Sequence, residues 1–257
     1  MFTNTYSMSG NLGDLIYSLA VVKKMGGGIF YVKLHNIPNV IRQYNNGHVP
    51  PEYEGKLSDI DFELLKPLLT HQPYIKLVEK FDSTHHLPII DLDEFRGVIH
   101  RTVRGNFLKA FYTTHKIPFT DSDLIQPWLT VTTPKRIAKY VIARSPRWRG
   151  KSPYAENIWK ELIVKNDMVN QGVFVGLPSE HQDFEKTFGI TIPYHPCKDF
   201  LELAEVIAGA DVFLGNQTFT YGIAQGLGKP TVLETFSART NLLENECFFA
   251  RTDCYYF

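Results

Sequence analysis

Residues Ala208–Pro230, which read AGADVFLGNQTFTYGIAQGLGKP, carry the clearest indication of the fold. Its apolar run Val212–Leu214 stops abruptly at Gly215-Asn216-Gln217-Thr218. An apolar helical pattern follows and ends at Gly228-Lys229-Pro230. This order predicts a buried strand, a tight turn, a helix and a stop. Backbone N–H groups of such a turn and of the helix start favour an anion at the carboxyl end of the strand. The stretch therefore predicts a phosphate-bearing ligand.

Strands and helices alternate along the rest of the chain. The predicted strands are 2–6, 29–34, 75–79, 87–91, 140–143, 172–176, 212–214 and 231–234. The predicted helices are 15–25, 62–69, 98–112, 155–164, 184–188, 200–208 and 221–227, and 38–58 reads as a long loop. Because strands alternate with helices at this spacing, parallel sheets are expected.

An irregular stretch with three prolines, 118–134, separates two such series. The fold class predicted is α/β, with two Rossmann-like domains facing each other across a cleft. We expect an N-terminal domain at 1–130, a C-terminal domain at 131–245, and a tail at 246–257 that packs back on the N-terminal domain.

Composition narrows the class of protein. The 257 residues carry 27 Lys and Arg against 27 Asp and Glu, so no global charge favours nucleic acid or an anionic membrane. Three cysteines without metal-ligand spacing fit a reducing compartment. The N-terminus does not read as a signal peptide, and no apolar run approaches the roughly 20 residues of a spanning helix. A cytoplasmic protein is expected.

The first candidate site loop is Ser9–Asp14, with sequence SGNLGD, between the first predicted strand and helix. Its two glycines permit a tight turn, and Asp14 begins the helix. The carboxylate of Asp14 can be read in two ways, as a helix N-cap or as a general base projecting into the cleft.

The second candidate loop is Arg144–Lys151, with sequence RSPRWRGK, directly after a predicted strand. Four cations in eight residues at a strand end suit a diphosphate. An ordinary solvated loop is the plain alternative. A nucleic-acid contact with Trp148 stacked on a base is a third reading.

The third candidate loop is Gly176–Glu180, also after an apolar strand. Glu180 can accept hydrogen bonds from ribose hydroxyls, or it can cap the helix at 182–188. The tripeptides Asp91-Leu92-Asp93 and Asp121-Ser122-Asp123 match a metal-binding pattern that is common by chance. No metal site is predicted from them or from the histidines.

Together these features resemble the ADP-heptose:lipopolysaccharide heptosyltransferases, inverting glycosyltransferases of the GT-B fold. Gly13-Asp14 and the apolar residues after it resemble that family's first loop, whose Asp is the proposed base. The helix around Trp159–Ile163 resembles the family's helix after its phosphate-binding lysine. The most specific likeness is the block Ala204–Pro230, which matches at Ala210-Asp211, Gly215-Asn216, Thr218, Ala224 and Leu227-Gly228-Lys229-Pro230.

The resemblance implies a metal-independent inverting glycosyltransferase without a cofactor. A nucleotide-sugar would bind the C-terminal domain and a hydroxyl-bearing acceptor the N-terminal domain. Asp14 would be the catalytic base, with Asn11 and Gly13 in the acceptor-side loop. The donor and its phosphates would be bound by Arg144, Ser145, Arg149, Lys151, Glu180, Asn216, Gln217, Thr218 and Phe219, with Arg147 and Arg149 as rivals of Lys151 for the diphosphate.

Three positions depart from the family block: Gln217, Phe219 and Gly222 stand where it has Asp, Gly and His. These changes suggest a different donor or acceptor, and lipopolysaccharide as acceptor is not carried over. Three alternatives stay open: a glycosyltransferase acting on a modified nucleobase in DNA, a sugar-nucleotide epimerase, and a non-catalytic nucleotide-sugar binding protein.

Overall fold

A computed structural model describes residues 3–34, 57–82, 89–97, 106–148, 153–235 and 254–257. Its strands are β1 (Asn4–Met8), β2 (Gly28–Val32), β3 (Ile75–Lys80), β4 (Ile90–Asp91), β5 (Tyr140–Ala143), β6 (Gly172–Phe174), β7 (Val212–Asn216), β8 (Thr231–Glu234) and β9 (Tyr255–Tyr256). Its α-helices are α1 (Leu12–Lys24), α2 (Asp59–Thr70), α3 (Phe107–Thr114), α4 (Pro153–Lys165), α5 (Met168–Gln171), α6 (Pro178–Phe188), α7 (Phe200–Gly209) and α8 (Phe219–Gly226).

The strands form two parallel sheets, which confirms the predicted α/β class. The first sheet has the order β3-β2-β1-β4 and the second the order β6-β5-β7-β8-β9. Parallel sheets need both faces covered, and β1 and β5 are accordingly buried along almost their whole length. The carboxyl ends of the strands therefore carry the loops available to a ligand.

Some observed element boundaries differ from the predicted ones. Strand β1 runs to Met8 rather than to residue 6, because Ser7 and Met8 pair with Tyr31 and Val32 inside the sheet. Helix α6 begins at Pro178, well before the predicted 184, since proline is well suited to the first helical position. Helix α5 and strand β9 were not predicted.

Several predictions fall partly outside the described residues. They include most of the loop at 38–58, the start of the strand at 87–91, the first part of the helix at 98–112, and most of the tail at 246–257. Of the tail, residues 254–257 are described, and there β9 extends the second sheet beside β8. No helix in the described part of the chain is long and apolar enough to cross a membrane.

The stretch expected to be an irregular linker is bound to both series. The indole N–H of Trp128 donates to the Ile16 carbonyl on α1 at 2.8 Å. The backbone N–H groups of Trp128 and Leu129 donate to the Gly226 carbonyl on α8 at 2.9 and 2.8 Å. A Cβ on Gly226 would lie 2.7 Å from the Leu129 side chain, so this close approach requires glycine. The segment thereby fastens α1 to α8.

Helices α1 and α8 also pack against each other directly. A Cβ on Gly222 would lie 3.6 Å from Ile16 and Tyr17 of α1. That is ordinary contact for a methyl group, but a long side chain would meet α1. The family histidine replaced by Gly222 would therefore meet α1 at this helix crossing.

The pairing of Lys24 with Asp123 provides a test of this arrangement. Lys24 Nζ lies 2.5 Å from the Asp123 carboxylate, which also accepts the Thr120 N–H at 2.7 Å. The hydrogen bond from Lys24, followed by that from Thr120, lowers the pKa of Asp123 to about 2. A lowered carboxyl pKa stabilises the fold above the unfolded value, and that contribution is lost as the pH falls towards 2.

We expect the Asp123→Asn variant to lose less stability than the wild type between pH 4 and pH 2, because its side chain has no proton to take up. Urea unfolding at both pH values measures this. Asp121→Asn, an exposed change in the same short helix, is the control and should follow the wild type. An Asp123→Asn variant with wild-type acid sensitivity would contradict the pairing.

Candidate functional site

A cavity of about 880 Å³ lies at the carboxyl ends of strands from both sheets. It is bounded by the loops after β1, β4, β5, β6 and β7, the edge where α/β sheets bind ligands. The predicted site residues that line it are Asn11, Gly13, Asp14, Arg144, Ser145, Glu180, Gln217, Thr218 and Phe219.

Asp14 is in the first turn of α1, but Asn11 rather than Asp14 holds the N-cap position. The carboxylate of Asp14 instead accepts from Arg96 Nη1 at 2.8 Å, and both side chains are largely buried. A negative charge in the first turn also suits the helix dipole. Arg96 therefore holds the Asp14 carboxylate at the cavity wall, and Asp14 is not the N-cap of the helix.

Arg96 belongs to a buried charge network that includes Asp93. Both oxygens of Asp93 accept the Ser9 N–H, at 3.0 and 3.1 Å, and Asp93 also contacts Lys33 Nζ at 3.3 Å. Lys33 is bound in addition by Asp91 at 2.7 Å. The Asp-x-Asp tripeptide at 91–93 is thus engaged by protein cations and backbone.

Burial and neighbouring charges shift the pKa values of groups in this network. Burial by itself would lower the pKa of the Arg96 guanidinium, but the carboxylates of Asp14 and Asp93 outweigh burial and raise it. For Asp91, burial raises the pKa despite the neighbouring Lys33. Arg96 therefore stays charged beside Asp14 at any working pH.

The glycine at position 10 makes the contact with Arg96 possible. Gly10 has a φ of +90°, and a Cβ there would lie 2.1 Å from Arg96 Nη2. Sequence reasoning noticed the glycine but missed Arg96, which is 82 residues from Asp14 along the chain. No local pattern marks it, since it follows a two-residue strand in a short 3₁₀ helix, Leu92–Gly97.

Arg144, which also lines the cavity, forms a buried ion pair at the end of β5. Its Nε and Nη2 donate to the two oxygens of Glu234 at 2.5 and 2.9 Å. The indole N–H of Trp159 donates to the same carboxylate at 3.0 Å. Arg144 Nη1, by contrast, is buried without a hydrogen-bond partner among the described residues. Glu234 and this role of Trp159 were not predicted.

Asn216 occupies a supporting position instead of lining the cavity. Its side-chain oxygen accepts the Ser145 N–H at 3.0 Å, and its amide donates to the Ser145 carbonyl at 2.7 Å. Both bonds are made to backbone, so Asn216 ties the end of β7 to the loop after β5. The predicted phosphate ligand is thus a residue that holds Ser145 in place.

The start of α8 lies in the cavity wall beside the first loop. Thr218 is the N-cap, and its hydroxyl lies 2.7 Å from that of Thr220. A Cβ on Gly13 would lie 4.0 Å from Phe219 Cα, so the two loops approach closely. The Phe219 ring packs against Phe200 of α7 with centroids 4.5 Å apart. Its bulk therefore forms part of the wall where the family has glycine.

Glu180 lines the cavity and also caps α6. Its carboxylate accepts the Leu177 N–H at 3.2 Å, as a residue near a helix start does when it bonds back to the backbone. This hydrogen bond supports the interpretation of Glu180 as a helix-capping residue. Cys197 lies on the same side of the cavity, where burial raises the pKa of its thiol to about 12, so it remains protonated at neutral pH.

The basic loop is described only in part. Arg147 is exposed and lines the cavity, within the short 3₁₀ helix Pro146–Trp148. Arg149 and Lys151 lie outside the described residues, as does the side chain of Trp148. The choice among Arg147, Arg149 and Lys151 for the diphosphate stays a prediction.

No protein-family model matches the chain, and no curated protein matches it in sequence. Among solved structures it is similar to a glycosyl transferase of family 9 from Veillonella parvula, with a TM-score of 0.63, 9% identity, and coverage of 100% of this chain and 85% of that one. It is also similar to E. coli heptosyltransferase WaaC with ADP, with a TM-score of 0.58, 11% identity, and coverage of 99% and 92%.

A third similar structure is E. coli ADP-heptose lps heptosyltransferase II, with a TM-score of 0.54, 10% identity, and coverage of 100% and 90%. The chain has the heptosyltransferase fold. The resemblance predicted from the block Ala204–Pro230 is thereby confirmed at the level of the fold. Within this heptosyltransferase fold, Asp14 and Thr218 line the same cavity.

The bonds of Asn216 can be tested through stability. Asn216→Ala leaves the N–H and the carbonyl of Ser145 without their side-chain partners, and we expect unfolding to become easier by about 2–3 kcal/mol. Denaturant unfolding measures this. Asn170→Ala, which removes an exposed bond to Asp167, is the control and should change stability by less than about 0.5 kcal/mol. Equal stabilities of the two variants would refute the bridging role.

Proposed function

We propose that this protein is a glycosyltransferase that moves a sugar from a nucleotide-diphosphate sugar to a hydroxyl acceptor. The observation that carries the proposal is that one cavity brings together a carboxylate and groups suited to an anion. Asp14, Thr218 at the start of α8, and Arg144 all line it. The glycosyltransferases that share the fold support the reaction class.

The donor would lie on the second sheet. In this proposal, residues 131–245 form a Rossmann-like donor domain that faces an acceptor domain, residues 1–130, across the cavity in the GT-B arrangement. The first-turn N–H groups of α8, Ser145, Thr218 and Arg144 would meet the diphosphate, with Gln217 and Phe219 beside it and Glu180 near the ribose. Negative charge grows on the leaving diphosphate, and fixed donors and cations stabilise it there. The proposed reaction needs no metal.

The acceptor would be activated from the first sheet. Asp14, with Asn11 and Gly13 in its loop, would remove the proton from the acceptor hydroxyl as that oxygen attacks the anomeric carbon. The attack comes from the side opposite to the diphosphate, so the configuration is inverted. The bond to Arg96 orients the carboxylate, because a guanidinium held by Asp93 cannot swing away freely.

Ligand binding tests the donor side. We expect one of ADP, UDP, GDP or CDP to raise the melting temperature, because a ligand bound only by the folded state stabilises it. The Thr218→Val variant should weaken that diphosphate about fivefold and leave its nucleoside unaffected, as removal of one phosphate hydrogen bond does. Calorimetry measures both affinities.

The control for Thr218→Val is Thr114→Val, the same change on α3, which should match the wild type. Absence of any thermal shift with the diphosphates and their sugars would contradict the proposed function. Unchanged diphosphate affinity in Thr218→Val would show that the phosphate does not bind at the start of α8. Activity that survives EDTA is expected, and loss of activity restored by a metal ion would refute metal independence.

Turnover tests the acceptor side. We expect Asp14→Asn to lower kcat by about 10²–10⁴ while donor affinity stays nearly constant, because the amide keeps the shape but cannot take a proton. Product formation from a pooled set of acceptors, including DNA with modified bases, provides the assay. Asp121→Asn serves as the exposed control. Wild-type turnover in Asp14→Asn would show that Asp14 is not the base. Donor binding by the wild type without any transfer or hydrolysis would indicate a binding protein instead of an enzyme.

A further inference from the structure

Arg144 and Glu234 form an ion pair that spans the carboxyl edge of the second sheet. Arg144 follows β5 and Glu234 ends β8, and β7 lies between these strands. The side chains are 1% and 0% exposed. Removal of two charges from water is costly, and an apolar pair of similar volume is often as stable. Stability alone is therefore a weak reason for a charged pair at this place.

The ion pair uses only two of the three guanidinium nitrogens of Arg144. Nε and Nη2 are both taken by Glu234, while Nη1 has no hydrogen-bond partner among the described residues. Arg144 also lines the cavity together with Ser145 and Thr218. A buried N–H group without a partner is costly unless a ligand satisfies it. Nη1 is thus the nitrogen of this guanidinium that has no acceptor among the described residues.

Glu234 is itself held from a third direction. Trp159 donates its indole N–H to the carboxylate oxygen that also accepts from Arg144 Nε. The Trp159 ring is buried against Phe184 and Phe257 and has little room to turn. Arg144 lies in addition over the ring of Phe188, 5.2 Å from its centre. Among the described contacts, Glu234 therefore orients the guanidinium, and Trp159 helps to hold Glu234.

We propose that Glu234 is a positioning residue, supported by Trp159, which holds Arg144 so that Nη1 donates to the diphosphate of the donor. This rests on the proposed function and adds the origin of the diphosphate specificity. The Arg144–Glu234 pair is neutral as a whole. The direction in which Nη1–H points therefore matters more for diphosphate recognition than net charge does.

The Glu234→Gln variant distinguishes a positioning role of Glu234 from a simple effect of its charge on anion binding. Loss of a negative charge beside an anion site should strengthen diphosphate binding if charge alone matters. If position matters, Glu234→Gln should weaken the diphosphate about tenfold, because the amide cannot accept from Nε, Nη2 and the indole together. Affinity for the matching nucleoside should stay unchanged, and KM for the donor should rise more than kcat falls.

Calorimetry on the whole protein gives these affinities, with the nucleoside diphosphate that raises the melting temperature most as the probe. Glu161→Gln is the matched control, since it removes the same charge at an exposed pair with Lys165. Arg144→Lys keeps the cation but lacks the fork, so it should weaken the diphosphate at least as much as Glu234→Gln does. Trp159→Phe should weaken it about threefold, since a hydrogen bond that holds Glu234 is lost.

The outcomes are distinguishable. Tighter or unchanged diphosphate binding in Glu234→Gln would overturn the positioning role and leave the proposed function intact. Equal loss of diphosphate and nucleoside affinity would also overturn it, because that marks general damage to the site. If Glu234→Gln does not fold, Trp159→Phe decides by the same two affinities. Failure of the wild type to bind any nucleoside diphosphate would overturn the proposed function itself, and the inference with it.

Discussion

The contact between α1 and α8 is the constraint on which the cavity depends. Each helix follows a strand of a different sheet, and Gly222 lets the two come within van der Waals distance. Trp128 and Leu129 then fasten the pair by hydrogen bonds to both helices. Asp14 is in the first turn of α1, and Thr218 caps α8. Because the helices are joined, their starting ends lie in the wall of one cavity.

Two buried charge networks each contribute residues to the lining of that cavity. In each, a guanidinium is held by carboxylates: Arg96 by Asp14 and Asp93, and Arg144 by Glu234. Such pairs are costly to bury, and they orient their members because a buried charge that breaks its bonds is left unpaired. Arg96 thereby fixes a carboxylate for proton transfer, and Glu234 fixes a guanidinium for an anion. The same physical device serves both halves of the proposed reaction.

Much of this architecture could be predicted from local patterns. The apolar run before Gly215 and the apolar helical pattern after Thr218 predict a strand and a helix, and the structure has both. The two glycines around Asn11 likewise mark a loop. The exact role of each loop residue was less predictable. Asn216 was expected to meet phosphate, but it bonds to the backbone of Ser145, and Glu180 makes the capping bond that a ribose contact would compete with.

The α/β class, most of the order of the elements and the loops at the strand ends could be predicted, since each depends on residues close together in the chain. The partners of the charged groups depend instead on contacts between distant parts of the chain. Arg96 reaches Asp14 across 82 residues, and Arg144 reaches Glu234 across 90. Nothing local marks these pairs, because each forms when strands distant in sequence come together at one edge of a sheet. Burial there makes the pairing specific, as an unpaired charge in that place would cost too much to persist.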